Sequence, residues 1–495
     1  MRISADLCRG FALVYVVCAA AMGLGAEPLP AGQSLWIRLT APVTTYTAKA
    51  GDTVHAVLTQ DVVHGSEIML RMGTPIEGIV RSRRKVGWGI RHETAALDIE
   101  FNRAIAVSGE PVTLNARVEE VENAREAVHN GVIQGIRSTD TFQGRINSRL
   151  IHLPTWNPYS DPVLIGYKVA FPIFPEPEIY YPAGTDLRLR TTAEISVPES
   201  TVNASSDASL TTKTESDELD QFIGQLPWRV TTQKDVNADV LNIVFLGSED
   251  EVRSAFQMAG WHNADPFSKG TVFKNLYALL NNSGYPRQPM MTFLLNGKPQ
   301  DMNWQKSLNS YSRRDHLRIW QWAKTADGES VWISSSTHDT SAGLAVKYRG
   351  FVHHIAPDID NERSTVIRDL NYAGCVKSVS YVARPEVPNT TRNATGDNMR
   401  TDGSIAVIAL QSCQPTTPQG EPNAKRINFK AGNHAFRFIR RQILTFKNDM
   451  LRANIIYVLY DGGRMAVTAM RHPTPLAGMP LQKADITLSA EAKLP

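Results

Sequence analysis

The chain has 495 residues, of which 42% are hydrophobic and 20% charged, and its formal net charge is +3. This length exceeds that of one compact domain, so we expect two or three domains. A charge this small gives no support for nucleic acid as a partner, and none is expected.

The first 26 residues have the three parts of a secretory signal peptide. Arg2 and Arg9 form a positive start, residues 10–25 are apolar, and residues 24–26 offer a cleavage site. A membrane anchor usually needs about 20 apolar residues, which favours cleavage, although the sequence leaves both outcomes open. No later run is long and apolar enough to span a bilayer. We therefore expect an exported protein, periplasmic or associated with the cell envelope, without a transmembrane helix in the mature chain.

Residues 27–198 are expected to form an all-β domain with irregular, Pro-rich loops. Apolar residues such as Leu35 and Ile37 alternate with polar or aromatic ones, and the same alternation recurs at residues 95–101. Short strands at this spacing predict a small barrel or a sandwich. Residues 179–197 alternate again, so a late strand is expected to rejoin the first ones.

A Ser/Thr-rich linker is predicted at residues 199–218, because this stretch has few large apolar residues and no periodicity. Residues 219–480 should then form an α+β domain, a mixed sheet with flanking helices, followed by a tail at 481–495. Its first signal is an apolar strand at 240–247, followed by a helix whose Ser248 and Glu251 form a capping box. A second helix is predicted over residues 271–282, and further strands follow.

Residues 434–452 combine basic and apolar residues and have two interpretations. Phe436, Ile439, Ile443 and Phe446 have the spacing of a helix face that packs on a core. Alternatively, the arginines and lysine of this stretch make a surface for anionic lipid or an acidic partner.

Three consecutive strands carry histidines, and consecutive strands are often neighbours in one sheet. Strand alternation places His316 with Arg318, and it separates His353 from His354, so only one of the latter pair can join His316 and His338. The candidate catalytic residues are His316, His338, His353, His354, Asp358 and Asp360.

Such a group could bind zinc or another divalent metal, or it could hold a histidine base oriented by an acid. The identity of any metal stays unknown at this point. The candidate anion-binding residues are Arg313, Arg314, Arg318 and Arg363. The alternative is structural: PDIDNER is also an ordinary helix start, in which Asp358 caps and Glu362 pairs with arginines on the helix surface.

Removal of the signal peptide leaves two cysteines, Cys375 and Cys413. Export leads to an oxidising compartment, where an even pair favours a disulfide. Cys375 begins one predicted strand and Cys413 ends another, so antiparallel pairing would bring them together.

Four separated motifs resemble the LssY C-terminal domain family: LNIVFLGSEDEVRSAFQMAGW, SRRDHLRIW, HHIAPDIDNER and TDGSIAVIAL. They cover roughly residues 238–412, and at the widest the match reaches 470. The resemblance implies a bacterial envelope context and does not imply a reaction. Members often carry paired histidines where this chain has Asp315 and His316, which weakens a site with two histidines there.

Two functions follow as hypotheses. The first is an exported interaction module that binds an envelope component, such as an anionic lipid. The second is a hydrolase that acts on a phosphorylated envelope substrate through a His/Asp site.

Overall fold

A computed structural model describes residues 28–65, 67–106, 109–137, 140, 175–197, 203–204, 217–325, 328–345 and 350–414, with residues 436, 438–440, 442–444, 463 and 467. The predicted signal peptide and tail lie outside the described residues. Within the described part of the chain, no helix has the length and apolar character needed to cross a membrane.

The N-terminal part is a six-stranded antiparallel barrel, which decides between the two predicted β architectures. Its strand order is β6-β3-β1-β12-β8-β7, and pairing of β6 with β7 closes it. The strands are β1 Ser34–Leu39, β3 Thr53–Leu58, β6 Pro75–Arg84, β7 Ala96–Ile105, β8 Pro111–Val121 and β12 Asp186–Thr191. The late strand β12 lies between β1 and β8, as the alternation predicted.

Short strands decorate this barrel. They are β2 Val43–Thr44, β4 Val62–His64, β5 Glu67–Leu70, β9 Ala127–His129, β10 Val132–Gln134, β11 Tyr180–Tyr181 and β13 Asn203–Ala204. β13 lies in the predicted linker and pairs with β5, so this part of the linker is attached to the barrel.

The C-terminal part is a mixed sheet with the order β17-β20-β21-β22-β16-β27-β24, and β23 also pairs with β22. Its strands are β16 Ile243–Leu246, β17 His262–Asn263, β20 Met302–Lys306, β21 Arg314–Lys324, β22 Ser330–Ala345, β23 Gly350–Ile355, β24 Val376–Ala383 and β27 Ser404–Leu410. The pair β16–β27 is parallel, and the other pairs of this sheet are antiparallel.

Two smaller sheets are also present. One has four strands, β14 Arg229–Thr232, β15 Asn237–Val240, β18 Phe293–Leu295 and β19 Lys298–Pro299, and the other has two, β25 Thr390–Arg392 and β26 Asn398–Arg400. The helices are α1 Asp217–Gly224, α2 Glu249–Met258, α3 Lys269–Asn281 and α4 Ile359–Tyr372.

The predicted β-α unit is present. Ser248 caps α2, and Glu251 completes the capping box. Val252 and Phe256 are buried on the face of the sheet that α4 also covers. The opposite face packs against α1 and the β14-β15-β18 sheet. Both faces of the mixed sheet are therefore covered, and each can bury polar side chains.

The predicted disulfide between Cys375 and Cys413 is confirmed, with a Cα–Cα distance of 4.0 Å. Antiparallel pairing of β24 with β27 brings the two cysteines together.

The basic stretch at 434–452 follows neither interpretation in full. Phe436, Ile439 and Ile443 are exposed, so the prediction that they pack on a core is wrong for them, and Phe446 lies outside the described residues. Arg440 and Leu444 are buried instead. Leu444 joins the barrel core, and Arg440 pairs with Glu176 and Glu178. The charge of Arg440 is therefore compensated by carboxylates of the same molecule.

Candidate functional site

The register of β21 and β22 decides which histidines can meet. Asp315 lies opposite His338, whereas His316 lies opposite Thr337. Since neighbouring residues of a strand point to opposite faces, His316 and His338 are on different sides of the sheet. The predicted convergence of these two histidines is therefore wrong, and the structure contains two polar clusters.

The first, the histidine cluster, consists of Arg314, His316, Asp339 and His353. Its centre is Asp339, which is only 1% exposed. Asp339 Oδ2 lies 3.5 Å from Nδ1 of His316 and 3.4 Å from Nδ1 of His353. Arg314 donates from Nε to the same oxygen at 2.7 Å. The two imidazoles thus share one carboxylate oxygen, close enough to act as one site.

Outer contacts hold both rings. Thr337 Oγ1 lies 3.1 Å from Nε2 of His316. Nε2 of Gln288 lies 3.1 Å from Nε2 of His353. Because the amide nitrogen can only donate, His353 accepts at Nε2, and its own proton belongs on Nδ1, facing Asp339.

Burial sets the charge of this cluster. It lowers the pKa of His316 to about 3 and the pKa of His353 to about 4, although Asp339 opposes both shifts. Burial alone would raise the pKa of Asp339, but His316 and Arg314 hold it well below its usual range. At neutral pH the cluster therefore contains two neutral imidazoles, one carboxylate and one guanidinium.

His354 and the aspartates of PDIDNER lie elsewhere. His354 faces away from His353, as predicted, and its Nδ1 contacts Asp397 at 2.7 Å. Asp358 caps α4 by accepting from the backbone N–H groups of Asp360 and Asn361. Asp360 accepts from the hydroxyl of Thr401 and from the backbone N–H of Asp402. The contacts of Asp358 are those of a helix start, whereas Asp360 connects α4 with the segment before β27.

The predicted anion-binding arginines are mostly occupied. Arg314 pairs with Asp339, Arg318 with Asp239, and Arg363 with Asp402. Arg313 is half-buried, and its side chain enters no ion pair with the described residues.

The second cluster, the junction cluster, consists of Asp315, His338 and Glu362. It lies on the α4 face of the sheet, where the barrel approaches. Nδ1 of His338 is 2.6 Å from Oδ1 of Asp315, and one ligand atom from each of the three residues lies within 4.8 Å of the others. Asn123, from the loop after β8, donates to Oδ2 of Asp315 at 2.7 Å.

Proton affinities in the junction cluster diverge. Burial would lower the pKa of His338, but its hydrogen bond to Asp315 raises it. Burial would raise the pKa of Asp315, but His338 holds it below its usual range. Burial and the neighbouring Asp315 carboxylate raise the pKa of Glu362 well above its ordinary value.

Ion pairs continue from this cluster into the barrel. Lys306 contacts Asp186 at 2.5 Å, Asp369 at 2.7 Å and Glu122 at 3.5 Å. Further pairs are those of Arg38 with Asp186 and Asp369, and of Arg368 with Glu122. A cavity of about 160 Å³, lined by Glu122, Asn123 and Lys306 among others, opens beside these groups.

Several of these residues were missed by sequence reasoning. Glu362 was expected on the helix surface, yet it is 3% exposed and faces the sheet. Asn123 and Lys306 carry no local signal, because their roles depend on packing between distant parts of the chain. Asp315 was identified only as a departure from a family pattern.

Helix α3 covers the histidine cluster and exposes an apolar face to solvent. Tyr311, 5.2 Å from the His353 ring, packs with Ala278 and Leu279 on the inner face of α3. The outer apolar residues are between 45% and 64% exposed, and they are Phe267, which precedes the helix, with Val272, Phe273, Leu276 and Tyr277.

Comparisons with known proteins give one informative match. No curated protein matches this chain. A solved structure of ComB10 of the Com type IV secretion system of Helicobacter pylori matches at 12% identity, over 34% of this chain and 89% of that one. Its TM-score of 0.20 is too low to support an inference. Residues 223–405 match the family described as LssY C-terminus, which confirms for that part of the chain the family predicted from its four motifs.

Proposed function

We propose that this protein is an exported component of the bacterial cell envelope whose C-terminal region binds an anionic lipid surface through α3. The observation that carries the proposal is the exposed apolar face of this helix. This proposal is the first of the two hypotheses from the sequence, an interaction module, with an anionic lipid as its ligand.

The geometry of α3 suits binding in the plane of a membrane surface. Val272, Phe273, Leu276 and Tyr277 follow the three- and four-residue spacing of one helix face. Ala278 and Leu279, on the other side, pack inward. A helix with an anchored inner face and an apolar outer face can insert its outer side chains at the acyl boundary while the domain stays folded.

The charge of α3 selects the lipid. The helix contains Lys269 and Lys274, both exposed, and no acidic residue. A lysine near an anionic surface contributes about 1 kcal/mol. Burial of the half-exposed apolar side chains adds roughly 0.5–1.5 kcal/mol each, so the sum is on the order of 5 kcal/mol. Such a value corresponds to reversible, peripheral binding.

Export is supported by two features. The first 26 residues, outside the described part of the chain, have the pattern of a signal peptide. The Cys375–Cys413 disulfide is of the kind that persists in an oxidising compartment.

Vesicle sedimentation tests the lipid proposal. The purified protein should pellet with vesicles of phosphatidylglycerol and phosphatidylcholine, and much less with phosphatidylcholine alone. Phe273→Ser combined with Leu276→Ser should reduce the bound fraction at least about tenfold, since each replacement removes on the order of 1 kcal/mol of transfer free energy. The matched control is Val236→Ser with Met258→Ser, two exposed apolar residues that are not part of α3. Equal binding by both double variants would refute the proposal.

Hydrolysis of a phosphorylated envelope substrate is a second candidate, favoured by the shared contact of His316 and His353 with Asp339. The side chain of His353 is 15% exposed, three times the value for His316, so His353 is the better placed general base. His353 would take a proton from water as the water oxygen attacks phosphorus, and Asp339 would stabilise the resulting imidazolium. The P–O bond to the leaving group would break, and the imidazolium would return its proton to the leaving oxygen.

This second candidate has its own test. Asp339→Asn should lower any hydrolysis of p-nitrophenyl phosphate by about 10²-fold or more, while His354→Ala should retain it. Absence of hydrolysis above the uncatalysed rate in the wild-type protein would exclude this candidate for that substrate class and would leave the lipid proposal intact.

A further inference from the structure

We infer that Asp315, His338 and Glu362 form a binding site for a divalent cation of the zinc or manganese class, located where the barrel meets the mixed sheet. The inference is independent of lipid binding by α3, which lies over the opposite face of the sheet.

The donor set is suitable for such a cation. One imidazole nitrogen and two carboxylate oxygens lie within 4.8 Å of one another. Imidazole with carboxylate is a donor set that zinc uses, and carboxylate oxygens also suit manganese. Ligand atoms around one such ion lie roughly 3.3 Å apart, given bonds near 2.1 Å. The 2.6 Å contact of His338 Nδ1 with Asp315 Oδ1 would open slightly around an ion.

Two buried polar atoms at the cluster lack hydrogen-bond partners among the residues that the structure describes. Oε1 of Glu362 has none, and that residue is 3% exposed. Oδ1 of Asn123 also has none, although the same amide donates to Asp315, and this residue is 3% exposed too. A buried acceptor without a donor costs about 1–3 kcal/mol, more when it is charged. A cation at the cluster would satisfy the Glu362 oxygen directly, and Asn123 would hold the Asp315 carboxylate through its amide N–H.

The side chain of His338 is 23% exposed, so solvent reaches one ligand of the cluster. A bound ion would also connect the two parts of the chain, because Asn123 of the N-terminal part donates to the ligand Asp315, and the three ligands belong to the C-terminal part.

Metal analysis with isosteric variants tests the inference. Protein freed of metal with a chelator, then equilibrated with Zn²⁺ or Mn²⁺ and desalted, should retain about one equivalent by mass spectrometry of the metal. Glu362→Gln keeps the shape and removes the charge, and it should weaken binding by more than the ~10–100-fold typical of losing an outer partner. His338→Gln should do the same. The matched control is His354→Gln, which disrupts another His–Asp pair, that of His354 with Asp397, and should retain the ion.

A second measurement guards against misfolding of the variants. The Tm of the wild-type protein should rise with Zn²⁺ or Mn²⁺ and fall with chelator, and the Tm of Glu362→Gln should respond to neither. Two results would overturn the inference. One is a wild-type protein that retains no metal and shows no Tm response. The other is a Glu362→Gln variant that retains the metal as wild type does, which would mean that the ion binds at another site.

Discussion

Replacement of Lys306 by Met should destabilise the protein by removing the central cation between barrel and sheet. The Lys306 ammonium contacts Asp186 and Asp369 within 2.7 Å and Glu122 at 3.5 Å, and its side chain is 13% exposed. Met fills a similar volume without charge, so the change isolates the electrostatic contribution.

The size of the stability loss depends on the ion pairs that remain after the replacement of Lys306. Loss of one partner of a buried ion pair usually costs about 3–5 kcal/mol. Here Arg38 still contacts Asp186 and Asp369, and Arg368 still contacts Glu122. We therefore expect the lower end of this range, about 3 kcal/mol, at neutral pH.

The loss of unfolding free energy in the Lys306→Met variant should depend on pH. Burial raises the pKa of Glu122 to about 8, and the charge of Lys306 opposes that rise. A carboxyl group with a raised folded pKa destabilises the fold as pH increases from its unfolded value, near 4, through its folded value. Without Lys306 the folded pKa of Glu122 rises further. At pH 7 this carboxyl is mostly protonated in both proteins, so the stability difference between the variant and the wild type should grow as pH rises through about 8, where only the wild-type carboxyl ionises.

Urea unfolding at several pH values measures both effects, with Lys377→Met as the control. Lys377 is exposed, so its replacement should change the free energy of unfolding by less than about 0.5 kcal/mol. A Lys306→Met variant within that same margin at pH 7, or a deficit that shrinks as pH rises, would refute this account of the junction.

Three further predictions concern other parts of the fold. Cys375→Ser with Cys413→Ser opens a loop with a sequence separation of 38 residues and should cost about 4 kcal/mol at the entropic limit, measured by urea unfolding. Gly374→Ala should destabilise the protein by more than about 2 kcal/mol, because its φ is +71° and a Cβ would overlap a backbone carbonyl. The Cβ of Gly396→Ala meets open space, so this change should cost only about 1 kcal/mol, and Tm values compare the two variants. Burial lowers the pKa of His316 to about 3, so as pH falls the imidazole is protonated in the unfolded chain before it is protonated in the folded one. The free energy of unfolding should therefore fall from about pH 6.5 toward pH 4, and His316→Gln should reduce this pH dependence in unfolding titrations.

Local patterns predicted a large part of the fold. Strand alternation placed the barrel strands and separated His353 from His354, and side-chain capping predicted the start of α2. These features depend on residues close in sequence, whose physical preferences can be read directly. The disulfide was also predictable, because two strands of known direction bring their cysteines to the same end.

The composition of the candidate sites was harder to predict. The strands of His316 and His338 are neighbours, as expected, but a register in which Asp315 lies opposite His338 puts the two histidines on different faces. A shift of one residue exchanges the faces of a whole strand, and no local pattern specifies it here. The contact of Asn123 with Asp315 spans 192 residues of sequence and depends on how barrel and sheet pack.

Lipid binding by α3 can be measured most directly with an environment-sensitive fluorophore on Phe273→Cys, with Val236→Cys as the control. Both positions are exposed in the folded protein. With phosphatidylglycerol-containing vesicles, the emission at position 273 should shift to the blue and intensify as the probe enters the acyl boundary, and emission at position 236 should stay unchanged. An unchanged spectrum at position 273, or equal shifts at both positions, would contradict the proposal.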